Sequence, residues 1–299
     1  MKKISKKVIV TAAVLLVAVL IITAAVLSGK SGGVVFTDSS GKEIATVKYN
    51  GKEKKINPAD EGYYDYISIA LEEAIAFYYE KNKGVTQNAA DYFFENVSVV
   101  KTCFESSHFE KIKKSFASSA LEEDTPYAAV MVDSKGKVLA AYGYRGDGST
   151  VYSLYKTYAG SSIKPLSVYA PAIDRGVVNW SSPVKDAPVK KVKTENEGER
   201  DWPSNASGTY TYEDMLVCDA VYKSINTVAV RVLQQTNIRR SMKILNEKLG
   251  MSLASENKIL LTESEEEIYG NIALGYLVDG VSPLEMAGYY QIFKTRKRY

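Results

Sequence analysis

Ser161 and Lys164 stand three residues apart in Ser161-Ser162-Ile163-Lys164. On a helix, positions i and i+3 share a face, which would bring a hydroxyl and an amine together. Burial disfavours the lysine cation, and a neutral amine beside a serine can take its proton and make it a nucleophile. Gly160 precedes the pair. At a helix start the unpaired backbone N–H groups favour developing negative charge, as acyl transfer requires. Taken alone, the pair also fits a serine that merely caps a helix. Downstream, Ser224-Ile225-Asn226 sits within VYKSINTVAVRVL. In a turn joining two helices, that hydroxyl could relay a proton and that carboxamide could hold a substrate amide. Capping is again the alternative.

Other chemistries find little support. The chain has one histidine, His108, in a lysine-rich segment. It is expected at the surface, which argues against a histidine-dependent serine triad and a histidine-rich zinc site. Cys103 and Cys218 lack metal-ligand spacing; an exported location would permit a disulfide between them. Formal net charge is +3, and Lys2, Lys3, Lys6 and Lys7 supply four positive charges. The remainder is close to neutral, so no basic excess points to nucleic acid.

The elements that would position these residues follow from patterning. Residues 8–27, VIVTAAVLLVAVLIITAAVL, carry no charge. About twenty apolar residues span a bilayer as a helix. With four lysines before them, they read as a single-pass transmembrane anchor with residues 1–7 cytoplasmic and the rest outside the cell membrane. A cleaved signal peptide is the alternative. Residues 28–33, SGKSGG, read as a tether. VVFTD and IATVKY predict a hairpin within 34–58. Tyr66, Ile69, Ala70, Ala74 and Phe77 predict a helix over 63–82. A second helix is predicted at 108–120, and YAAVMVD (127–133) with VLAAYGY (138–144) predicts a hairpin around 134–137. The polar, proline-bearing stretch 184–209 reads as a long surface loop, with helices over 212–235, 238–249 and 283–294. The whole suggests an α/β chain of the α+β sandwich kind, helices packed on an antiparallel sheet.

Five segments in order carry a resemblance: YAAVMVDSKGKVLAAYG, AGSSIKPLSVYAPAIDRG, DWPSN with GTYTYEDML, SINTVAVRVL, and NIALGYLVDGVSPLEMAGYYQIF. Together they resemble the transpeptidase domain of class A penicillin-binding proteins, whose first motif is serine-x-x-lysine. The likeness spans roughly residues 95–293. The resemblance implies the penicillin-binding, serine β-lactamase-like fold over 95–299, with 28–94 as an N-terminal hairpin, helix and linker. It implies Ser161 as the acylated nucleophile, Lys164 as its base, and Ser224 and Asn226 as the second-motif pair. It implies serine D,D-transpeptidase or carboxypeptidase chemistry on D-Ala-D-Ala ends of peptidoglycan stem peptides. β-Lactams would be covalent ligands and the cell-wall synthesis machinery the partner, with no metal or organic cofactor. A β-lactam-binding sensor, or an inactive remnant, is the alternative.

Three departures accompany it. The family's third motif, Lys-Thr-Gly on a strand, is expected after residue 293. There Lys294-Thr295-Arg296 shares two letters and lacks the glycine, so the fold is expected to be C-terminally incomplete. Between about residues 59 and 95, where a glycosyltransferase domain would stand, only a helix and linker are predicted. Pro171 would kink the nucleophile helix, but it lies two turns past Lys164, so the Ser161–Lys164 geometry is expected to survive.

Overall fold

The computed structural model describes residues 19–24, 33–119, 121–122, 125–144, 148, 150–194, 198–251, 264–277 and 279–294. Two compact units divide them: 156–281, and 19–155 together with 282–294.

The latter unit is built on a five-stranded sheet. Its strands are β1 (Val19–Ala24), β2 (Val34–Thr37), β3 (Glu43–Tyr49), β4 (Lys54–Pro58) and β5 (Val97–Thr102), in the order β1-β5-β2-β3-β4. β2 and β5 run parallel; the other neighbours are antiparallel. β2 alternates buried and half-buried residues, as a strand with one covered face should. The Asp38 carboxylate closes the β2–β3 turn by accepting from the Ser40 and Lys42 N–H groups, each at 2.9 Å.

Helix α1 (Tyr64–Lys81) buries Tyr66, Ile67, Ala70, Leu71 and Ala74. Phe77, expected on its apolar face, is exposed, with the Lys81 ammonium 4.4 Å from its ring centre. α2 (Ala89–Asn96) leads into β5, and α3 (Ser106–Ala117) follows. The hairpin β6 (Ala128–Val132) and β7 (Val138–Gly143) forms where its patterning predicts, and pairs with no further strand among the described residues. Val138, Ala140 and Ala141 of β7 share one core with α1 and the five-stranded sheet.

In the other unit the chain enters through a 3₁₀ turn, Gly160–Ile163, then a π-helical turn, Pro165–Tyr169, then α4 (Ala170–Asp174). The irregularity expected at Pro171 thus begins a turn earlier: the Ala170 N–H bonds the Pro165 carbonyl, five residues back. The stretch read as one surface loop over 184–209 holds three strands instead. β8 (Pro183–Lys185) pairs with β11 (Asp214–Leu216), and β9 (Lys190–Thr194) pairs with β10 (Gly198–Trp202). The β9–β10 ribbon is largely solvated, so neither strand needs the apolar alternation that would betray it. The helix expected over 212–235 is divided into β11, α5 (Val217–Tyr222) and α6 (Asn226–Thr236), with Ser224 in the break. α7 (Ile238–Lys243), continued by a π turn to Lys248, and α8 (Glu265–Leu274) complete this unit. Val228, Ala229, Val232 and Leu233 of α6 are fully buried. α9 (Pro283–Tyr289) belongs to the unit that holds the five-stranded sheet and is opened by a capping box between Ser282 and Glu285.

Of the expected anchor 8–27, residues 8–18 and 25–27 lie outside the described residues. Val19–Ala24 form β1, antiparallel to β5, rather than a helix. Among the described residues no helix is long and apolar enough to cross a membrane. Of the Lys294-Thr295-Arg296 segment only the Lys294 backbone is described, ending a 3₁₀ turn that follows α9.

Candidate active site

Lys164 is the centre of the site. It is 2% exposed, held there by the core beneath the π turn that follows it. Its Nζ donates to the Ser224 carbonyl at 2.7 Å, to Ser224 Oγ at 3.1 Å and to Asn226 Oδ1 at 2.5 Å. Three of the four residues singled out by sequence therefore meet at one ammonium. Burial pushes that amine down from 10.5 to about 8, since a low-dielectric surrounding disfavours the cation. The three acceptors, in turn, suit the protonated form.

Ser161 lies one turn before Lys164, exposed, within the 3₁₀ turn. Its hydroxyl forms no hydrogen bond to Lys164 in this structure; Lys164 is engaged by the second motif instead. Ser162 Oγ donates to the Ala159 carbonyl at 2.5 Å and tightens the same turn.

Ser224 adopts φ +55°, a left-handed conformation uncommon for a residue with a side chain. Its N–H bonds Val221 and the next N–H bonds Ala220. These bonds close α5 and aim both oxygens of Ser224 at Lys164. Such backbone strain persists only where the surroundings impose it.

The position of Asn226 depends on residues that sequence patterning did not single out. Asn205 Oδ1 accepts the N–H groups of Asn226 at 3.0 Å and Thr227 at 3.3 Å, capping α6. Asn226 Nδ2 donates to the Ser204 carbonyl at 2.7 Å, which turns its Oδ1 towards Lys164. Asn205 is fixed by Asp186, which accepts from Asn205 Nδ2 at 2.8 Å, Thr227 Oγ1 at 2.6 Å, and the Thr211 N–H and hydroxyl at 2.9 and 3.1 Å. Asp186 is 1% exposed. Burial alone would raise its carboxyl, but bonds from Thr227, Thr211 and Asn205 outweigh that and hold it below 3.8. DWPSN contains Asn205, but nothing in spacing marks Asp186.

A second support lies behind Ser161. The Gly160 N–H bonds the Gly275 carbonyl at 3.2 Å. At Gly275 (φ +85°) a Cβ would stand 2.2 Å from the Gly160 carbonyl oxygen. Only glycine lets the loop after α8 approach the Gly160–Ile163 turn this closely. His108 lies on α3, in the other unit, with Ser107 Oγ 3.5 Å from Nδ1. Cys103 is buried, Cys218 exposed, and both are free thiols. No group of three or more His, Cys, Asp or Glu side chains among the described residues is placed to hold a metal ion.

The arrangement joins a nucleophile-type hydroxyl, an amine with a lowered pKa, and a second hydroxyl bridging onward, which is the equipment of serine acyl transfer without histidine. Comparison with known proteins shows the family. A family model described as the penicillin binding protein transpeptidase domain matches residues 127–297, more than half of the chain. Penicillin-binding protein 1A of Clostridium botulinum is 29% identical over 193 residues, 62% of this chain and 22% of its own length. Penicillin-binding protein A from Mycobacterium tuberculosis, solved as a ceftriaxone acyl-enzyme complex, superposes with a TM-score of 0.58 at 15% identity, covering 87% of this chain and 68% of that one. The D,D-transpeptidase domain of a peptidoglycan glycosyltransferase from Eggerthella lenta gives 0.58 at 12% identity, covering 88% and 69%. At those identities the two structures share the fold. The chain spans about a fifth of the length of the curated relatives it matches.

Proposed function

Because the chain belongs to the penicillin-binding protein transpeptidase domain family, we propose that it forms an acyl-enzyme at Ser161, as a serine D,D-transpeptidase or carboxypeptidase acting on D-Ala-D-Ala ends of peptidoglycan stem peptides in cell-wall cross-linking. The observation that carries this reading is the buried Lys164 amine, lowered to about 8 and bound by Ser224 and Asn226 one turn from Ser161.

In this reading neutral Lys164 takes the Ser161 proton as Oγ attacks the carbonyl of the penultimate D-alanine. The tetrahedral centre collapses, the C–N bond to the terminal D-alanine breaks, and its nitrogen receives a proton through Ser224 Oγ. The Ser161 ester then passes its acyl group to an acceptor amine or to water. Asn226 holds Lys164 and presents its amide at the same place. β-Lactams would acylate Ser161 as strained analogues of the same amide.

A fluorescent penicillin tests the proposal. Covalent labelling of the wild type that disappears in Ser161→Ala is expected. A folded wild type that stays unlabelled would overturn it. Labelling without release of D-alanine from a D-Ala-D-Ala peptide would assign the chain as a β-lactam-binding sensor. Membrane attachment through 8–27 belongs to the same proposal; it rests on the charge-free run after four lysines and requires Val19–Ala24 to leave β1. The full chain should remain in the membrane pellet after alkaline carbonate washing, and its release would remove that part.

A further inference from the structure

Between the β9–β10 ribbon and α8 lies a cleft of about 640 Å³, a volume typical of small-ligand sites. Trp202, Leu274 and Tyr276 form apolar parts of its wall; Lys191, Lys193 and Arg200 also line it, and no carboxylate is among its described lining residues. Strand register distinguishes the cations. Lys191 stands opposite Asp201 and Lys193 opposite Glu199, so each has an acidic cross-strand neighbour. Arg200 stands opposite Val192, on the other face of the ribbon and the same face as Trp202. It forms no ion pair with any described residue. A guanidinium beside an aromatic wall suits a carboxylate carried on an apolar body.

Two short links of chain set this cleft beside the acylation site. Tyr276 follows Gly275, whose carbonyl holds the Gly160 N–H directly before Ser161. The Tyr276 ring also lies 6.0 Å from that of Tyr158. Trp202 is two residues before Ser204, whose carbonyl holds the Asn226 amide. A donor acylating Ser161 and touching Asn226 therefore has the cleft next to it.

We propose that this cleft receives a carboxylate-bearing extension of the acyl donor, with Arg200 binding the carboxylate and Trp202 and Tyr276 packing on the adjoining apolar part. The proposal rests on the acyl-transfer reading of Ser161. It makes Arg200 a determinant of which donors are preferred.

Benzylpenicillin and carbenicillin differ by one side-chain carboxylate and form a matched pair of probes. The ratio of their second-order acylation constants, carbenicillin over benzylpenicillin, should fall about tenfold in Arg200→Gln. Added salt should move the wild-type ratio in the same direction. A ratio that stays within about twofold of wild type overturns the proposal. A second measurement needs no acylation. The chain has two tryptophans, so Ser161→Ala with Trp180→Phe leaves Trp202 as the sole reporter. Its fluorescence should respond to carbenicillin at about tenfold lower concentration than to benzylpenicillin, and Arg200→Gln should abolish the difference. Equal titration by both probes overturns the cleft even where Ser161 acylates. A preserved preference in a chain that never acylates supports the cleft and retires the acyl-transfer reading.

Discussion

At neutral pH the Lys164 amine carries its proton, because its pKa lies near 8 and Ser224 and Asn226 supply three acceptors. The base form grows as pH rises, so acylation of Ser161 by benzylpenicillin should accelerate from pH 6 to 9 with a midpoint near 8. Lys164→Arg, whose guanidinium stays charged, should be slower by about 100-fold or more and lose that rise. Stopped-flow or gel-based acylation rates across pH decide it; an unchanged midpoint in Lys164→Arg would remove Lys164 as the base. The same group has a stability signature. Its folded pKa is depressed, so between about 8 and 10.5 the unfolded chain binds more protons. Stability relative to Lys164→Met should therefore increase with pH across that window, because the cost of burying a cation, present in full below 8, is removed. These residues could be singled out in sequence because Ser161-x-x-Lys164 and Ser224-x-Asn226 lie in segments that resemble one family; their spacing alone also fits helix capping. The engagement of Lys164 by Ser224 could not be, since it follows from a left-handed backbone at a serine that propensity disfavours.

The start of α6 rests on Asp186 and Asn205, and both can be tested as parts of one device. Asn205→Ala removes the cap and should cost about 1 kcal/mol in urea unfolding. It should also slow acylation, because Asn226 loses the N–H bond that fixes its first turn. Thr227→Val leaves Asp186 short of a donor and should cost about 1–3 kcal/mol, while Thr227→Ser keeps the hydroxyl and most of the stability. An acylation rate per folded molecule that is indifferent to Asn205 and Thr227 would make the network purely structural. Asp186 also predicts a pH effect. Its folded pKa is lowered, so its contribution is whole above 3.8 and is lost as pH falls through the lower folded value. Wild type should lose more stability there than Asp186→Asn does. None of this was readable in advance: 184–209 looks like loop because Lys191, Lys193, Glu199 and Arg200 leave the ribbon no apolar period, and Asp186 finds Thr227 only through the fold. The β6–β7 hairpin and α1, by contrast, were plain: two β-rich runs flank a turn, α1 repeats apolar residues at helical spacing, and both pack into one core.

Over the whole chain, local pattern recovered the mixed helix-and-sheet class and several elements but not their long-range joins. The parallel pairing of β2 with β5 links segments separated by two strands and two helices, and no short window encodes it. The division into units is of the same kind. Residues 156–281 enter and leave at one place: the Thr157 N–H bonds the Val281 carbonyl at 3.3 Å and the Val281 N–H returns to Thr157 at 2.8 Å. At Gly280 a Cβ would lie 2.9 Å from Thr157 backbone atoms, so that junction, like the one at Gly275, depends on a glycine. A segment whose ends are pinned together resembles an inserted domain, for which independent folding is the common outcome. This one has its own buried apolar residues, among them Ile163, Leu166, Val228, Leu233, Leu245 and Ile272, and it carries Ser161, Lys164, Ser224 and Asn226 together. Expressed alone, residues 156–281 should therefore unfold in a single cooperative urea transition and still take a penicillin label that Ser161→Ala abolishes. A broad, non-cooperative transition would show that the pinned ends and this core do not suffice. A cooperative transition without labelling would place a requirement for acylation in the remainder of the chain, beyond the four residues whose spacing first marked the site.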